Sequence, residues 1–156
     1  MGTQNNARIL AAEIVGTTVL MPGGPGVAIF SAQAVGVLGV ALGFGLSLAI
    51  MASVIGPLSG CHINPAVTLG MLLARKIDGT HAVFAWIGQW LGAGGGAAII
   101  YGIQSGKDLT RGQCAANVWS GDYYGLGSTI VVEVILSAIF VMVVLFTTTR
   151  KFAPGM

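Results

Sequence analysis

Few side chains in this sequence are equipped for chemistry, and the densest group of them falls in one short run, Ser59-Gly60-Cys61-His62-Ile63-Asn64-Pro65-Ala66-Val67-Thr68. Asn64 can cap a helix that starts at Pro65, where the missing N–H costs nothing and φ is already helical. An extended strand over Gly60 to Ile63 can turn its carbonyl oxygens outward as acceptors, while the Asn64 amide donates. Acceptors leading up to one donor suit the passage of water. Cys61 beside His62 could suggest a metal site, but two ligands with no third in sequence reach are weak support, and His62 reads better as pore-lining. The sequence offers no paired carboxylates, no nucleophile with a base and no phosphate loop, so an enzyme is the least expected reading and no cofactor is called for.

The elements that hold this run must lie in a bilayer. The chain has 156 residues, 54% of them hydrophobic and only 8% charged, with a mean hydropathy of +0.85. That leaves too little polar surface for a soluble globule. Four nearly uncharged stretches, Ile9 to Phe30, Val35 to Leu58, His81 to Ile103 and Thr129 to Thr147, are long enough to cross roughly 30 Å of hydrocarbon. The first is too long for a signal-peptide core and carries Glu13 inside it, so it is expected to stay in the membrane. Pro22 and Pro25 are expected to kink or shorten it. Much of the abundant glycine lies within apolar runs such as Gly92-Ala93-Gly94-Gly95-Gly96, which implies closely packed helices. A net charge of +2 gives no case for nucleic acid, and Cys61 and Cys114 are too far apart in the topology to pair.

With the N-terminus cytoplasmic, Arg8, Arg75, Lys76, Arg150 and Lys151 are inside, and only Lys107 and Arg111 are outside. The segment between the second and third spans is too apolar for a solvated loop. A helix from Pro65 to Ala74 would be about 15 Å long, half the hydrocarbon thickness, ending at the cations Arg75 and Lys76. It is expected to be re-entrant, with Asn64 near the midplane. Irregular backbone at that depth must be buried in protein or line water, and the positive end of the short helix opposes cations and protons. In a soluble protein the same Asn-Pro pair would merely start a helix.

These residues resemble the first Asn-Pro-Ala box of the aquaporin and glycerol-facilitator family. The resemblance extends over the chain through Ala12-Glu13-Ile14-Val15-Gly16-Thr17, Ala41-Leu42-Gly43-Phe44-Gly45-Leu46, Gln89, Glu133 and Lys151-Phe152-Ala153-Pro154, and is greatest to the bacterial water-selective branch. It implies an all-α membrane fold of four transmembrane helices and one half-helix, part of a six-helix inverted repeat. Residues 1–106 would form the first repeat with its half-helix at 64–76, 107–127 an extracellular loop and 128–151 the first helix of the second repeat. It implies passive water conduction with Phe44, Gly60, Cys61, His62, Ile63, Asn64, Pro65 and Ala66 on the path. Phe44 would occupy the aromatic constriction where glycerol facilitators carry Trp; by chemistry alone a packing aromatic would be the commoner role, and only the family register favours the constriction. Glu13 and Glu133 would accept bonds from re-entrant backbone, in preference to relaying protons, and Gln89 would tie helices together. With Cys61 in the pore wall, a bulky thiol reagent is expected to slow flux. His81 carries no functional signal. The resemblance further implies a homotetramer in a bacterial inner membrane, and it makes the chain a partial one, lacking spans five and six, the second box and the constriction arginine. The alternatives are a facilitator of glycerol or another small neutral solute, and a non-conducting membrane scaffold.

Overall fold

In a computed structural model of the chain, residues 5–106 and 124–148 are described. Lys107, Arg111, Cys114, Arg150, Lys151-Phe152-Ala153-Pro154 and most of the expected 107–127 loop lie outside them. The described residues are helical, without strands: α1 (Asn6–Met21), a π-helical turn (Pro22–Gly26), α2 (Val27–Ser59), α3 (Pro65–Leu73), α4 (Gly79–Ser105) and α5 (Leu126–Thr147). Asn5 caps α1 by accepting from the Ala7 N–H at 3.0 Å, and Asp78 caps α4 by accepting from His81 N–H at 2.8 Å.

The first two spans follow each other within one stretch of helical residues, Asn6–Ser59, of 54 residues, broken at a single point. At 1.5 Å per residue it would be about 80 Å long, more than twice the hydrocarbon thickness, so it must double back. It does so at Gly36, whose φ of 65° and ψ of −174° fall in a region open essentially to glycine alone. Ser31, Ala32, Gln33 and Ala34, between the first two apolar stretches, contain no helix breaker and stay helical. Pro22 and Pro25 do not shorten the first span. Pro25 has no N–H for the carbonyl four residues back, and the helix continues by widening into the π turn.

Helix directions follow from what the glycines touch. Gly16 faces Ile55, Gly23 faces Ser47 and Gly24 faces Phe44; one number rises as the other falls, so α1 with its π turn runs antiparallel to the part of α2 that follows Gly36. Gly88 meets Leu10 and Glu13, Gly92 meets Ile14 and Thr17, and Gly96 meets Thr18 and Met21. Both numbers rise together, and α1 and α4 are parallel neighbours. Glycines four residues apart lay one face of α4 against α1 backbone, and Thr18 Oγ1 donates across this seam to Gly92 O at 3.2 Å. On α1 the buried residues Ile9, Ala12, Glu13, Gly16 and Thr17 form one helical stripe. α5 has no buried residue. It touches α3, with Val141 against Gly70, and Lys76 Nζ donates to Leu145 O at 2.9 Å.

A methyl group at Gly92 would lie 2.5 Å from the Ile14 carbonyl oxygen, whereas one at Gly94 would meet nothing within 4 Å. Gly92→Ala is therefore expected to destabilise the protein by about 1–3 kcal/mol, and Gly94→Ala to leave it unchanged or slightly more stable. Thermal unfolding of both variants in detergent micelles checks this; equal shifts in Tm would remove the seam as the reason.

Candidate functional site

Glu13 is fully buried where α1, α4 and the segment between α2 and α3 meet. Its Oε1 accepts from Ser59 Oγ at 2.6 Å and from His62 N–H at 2.9 Å. Its Oε2 accepts from Ile63 N–H at 2.7 Å and from Gln89 Nε2 at 2.8 Å. All four partners donate, so both oxygens work as acceptors, the role of an ionised carboxylate. Ser59 Oγ in turn accepts from Cys61 N–H at 3.1 Å. Three successive backbone donors thus turn inward to one carboxylate and its attached hydroxyl.

The backbone that allows this is left-handed at three of its four residues, not the extended strand expected from sequence. Gly60 has φ 88°, Cys61 φ 50° and Ile63 φ 37°. Left-handed conformations cost a residue with a Cβ roughly 1–2 kcal/mol, and the bonds to Glu13 and Ser59 hold two such residues there. With the N–H groups of Cys61, His62 and Ile63 turned inward, the carbonyls of Gly60, Cys61, His62 and Ile63 accept no hydrogen bond from any described residue.

The segment is re-entrant. His81 Nε2 lies 3.0 Å from Ser59 O, and Trp86 Nε1 donates to Pro65 O at 3.2 Å. Five residues of α4 separate these contacts, so the chain climbs about 7 Å beside α4 between Ser59 and Pro65. α3 then returns to the end from which α4 starts. Its nine residues span about 14 Å, short of a bilayer crossing. Asn64 Oδ1 caps it by accepting from Ala66 N–H at 2.8 Å and Val67 N–H at 3.4 Å. The other half of the planar amide, Nδ2, is left as a donor at the helix's positive end. α3 stops one residue earlier than expected because Arg75 takes a left-handed φ of 56° and Lys76 N–H reaches back to Met71 O at 2.9 Å, the 6→1 bond of a helix-ending motif.

Thr68 and Gln89 tie α3 into the same network. Gln89 Nε2 donates to Thr68 Oγ1 at 2.9 Å, and Thr68 Oγ1 lies 3.2 Å from both Asn64 O and His62 Nδ1. The His62 ring stacks on His81 at 5.3 Å. Sequence reasoning passed over His81 and Trp86; the signal available for both was their position in the first two turns of α4, directly after the half-helix. The Cys61 and Ile63 side chains pack into an apolar cluster with Ala12, Met51 and Ile55. The thiol therefore points into the bundle, and Cys61 can face a path only through its carbonyl.

The remaining residues lie apart. Phe44 is 41% exposed on α2, sixteen positions before Gly60 and about 24 Å from it along the helix. Pro65 and Ala66 are exposed and line an open depression of about 460 Å³ with Leu69, Trp86 and Trp90. Glu133 is exposed on α5 and bonds to none of residues 60–64.

A bundle of apolar helices built around a short re-entrant helix defines a membrane channel protein. The chain belongs to the major intrinsic protein family, whose model matches residues 1–154. It is 40% identical to an Aquaporin Z of Brucella melitensis biotype 1 over 154 residues, covering 94% of this chain and 68% of that protein. It is 38% identical to an Aquaporin Z of Photorhabdus laumondii subsp. laumondii over 158 residues, covering 95% of this chain and 68% of that protein. The chain is accordingly an integral membrane protein with an aquaporin-like helical fold.

Replacing Glu13 by Gln keeps the shape but sets an NH2 group against inward-turned donors. Glu13→Gln is expected to cost about 2–5 kcal/mol, and Glu133→Gln, with no comparable bonds, far less. Guanidine-free thermal melts in detergent compare the two, and a similar loss for both would show that the Glu13 bonds carry no special weight.

Proposed function

We propose that this chain supplies one half of a passive path for water across the membrane, and that the path runs past Phe44, the carbonyls of Gly60, Cys61, His62 and Ile63, and the Asn64 amide. The observation that carries this reading is the division of this backbone, with the N–H groups of Cys61, His62 and Ile63 bound to Ser59 and Glu13 and the carbonyls of residues 60–63 left as acceptors. A water molecule can be handed along these acceptors and then accept from Asn64 Nδ2 at the positive end of α3, where a cation is opposed. Pro65 and Ala66 start α3 beside the path. Glu13 and Gln89 hold the segment without touching the permeant, and Glu133 would do the same for a matching segment in a second repeat.

The names of the relatives support water over larger solutes, and Phe44 supports it further as a bulky side chain in a constriction. Glycerol or another small neutral solute is the alternative permeant. The 156 residues contain one Asn-Pro-Ala sequence, at Asn64-Pro65-Ala66. A complete path on this plan needs an opposing half with its own box, spans five and six and an arginine at the constriction, seated against the open faces of α3 and α5. The N-terminus would be cytoplasmic, the membrane a bacterial inner membrane and the assembly a homotetramer.

In proteoliposomes the full-length channel is expected to speed osmotic shrinkage without passing ions. Asn64→Asp keeps a capping oxygen while removing the amide donor, and it is expected to lower water permeability about tenfold, the worth of one hydrogen bond in a barrier. Stopped-flow light scattering measures both, and an Asn64→Asp channel as fast as the parent would take Asn64 off the path. Because its thiol is buried, Cys61 is expected to react slowly with a bulky maleimide in the folded protein, and rapid labelling by mass spectrometry would contradict its packing.

A further inference from the structure

The π turn at Pro22–Gly26 does more than carry the first span past two prolines. Gly24 is buried, and the ring of Phe44 lies against it so closely that a methyl group there would collide with ring carbons Cδ1, Cε1 and Cζ. Gly23, the preceding residue, also faces α2, meeting Ser47, and a methyl at Gly43 would fall 2.5 Å from Gly23 O. Two consecutive residues of the first span therefore both meet α2, an arrangement favoured by the wider π turn. Pro25 forces that turn, because it has no N–H to close the ordinary helical bond and its ring crowds the carbonyl four residues back. The result is a notch without side chains, level with Phe44 and shaped to its ring.

We propose that this notch sets where the Phe44 ring stands, which makes Gly24 the positioning residue for the proposed constriction and Pro25 the residue that creates its site. The inference rests on the reading that Phe44 lines the water path. Phe44 is 41% exposed, so a ring driven from the notch can move only towards its open side. On that reading the open side is the lumen, and filling the notch narrows it.

The test uses the full-length channel with 4-fluorophenylalanine at position 44, its fluorine resonance reporting the ring's surroundings and stopped-flow shrinkage reporting water flux. Gly24→Ala is expected to move the resonance and to lower water permeability severalfold, and in a Phe44→Ala background it is expected to change flux no further. Pro25→Ala adds no atoms in the notch and restores a backbone donor, so it keeps the test open should Gly24→Ala fold poorly; it too is expected to shift the resonance and the flux. An unmoved resonance in the folded variants overturns the proposal. So does an equal loss of flux with and without the Phe44 ring, which would mark Gly24 as a packing residue only. A moved resonance with unaltered flux also overturns it, by taking Phe44 off the path, while leaving the Asn64→Asp result to judge the water-channel reading separately.

Discussion

The carboxylate of Glu13 is the group on which the rest of the site depends. A buried negative charge in a bilayer is costly unless its lone pairs are occupied, and here four donors from three parts of the chain occupy them. The dependence is mutual. Cys61 and Ile63 take left-handed angles that residues with a Cβ ordinarily avoid, and they keep them because the inward N–H groups of residues 61–63 find acceptors. One side chain on α1 thereby fixes which way several carbonyls face on the far side of the segment.

Around that charge the helices are brought unusually near. Only glycine at positions 88, 92 and 96 lets α4 lie on the α1 backbone, and this approach places Gln89 within reach of both Glu13 and Thr68. The same closeness lets His81 and Trp86 meet the carbonyls of Ser59 and Pro65 from the side. The re-entrant segment is therefore held at its start, along its length and at the turn into α3.

Much of this was legible in the sequence, for identifiable reasons. Asn64-Pro65 announced a helix start because cap and first turn follow local rules, and the cations after Ala74 marked its end to within a residue. The glycine run in the third span announced close packing. Apolar length shows where two spans fit but not where the chain turns between them; the turn falls at Gly36, a residue free to adopt the required angles. The left-handed angles at Cys61 and Ile63 were not legible, since neither residue has a local preference for them; Ile63 N–H, and Cys61 N–H by way of Ser59, answer to a carboxylate nearly fifty residues away. For the same reason the inward turn of the Cys61 thiol could not be foreseen. Glu13 and Glu133 look alike in sequence, yet only Glu13 lies within reach of residues 60–64 among those described.

The parallel pairing of α1 with α4 has a consequence for assembly. Two parallel helices cannot be joined by a short turn, so the whole of α2, the re-entrant segment and α3 must be threaded between them before their glycine seam can close. Closing so long a loop is slow compared with forming the α1–α2 hairpin, whose partners are adjacent in the chain. The seam should therefore behave as a latch, shutting last and trapping the irregular segment that could not survive in lipid unattended.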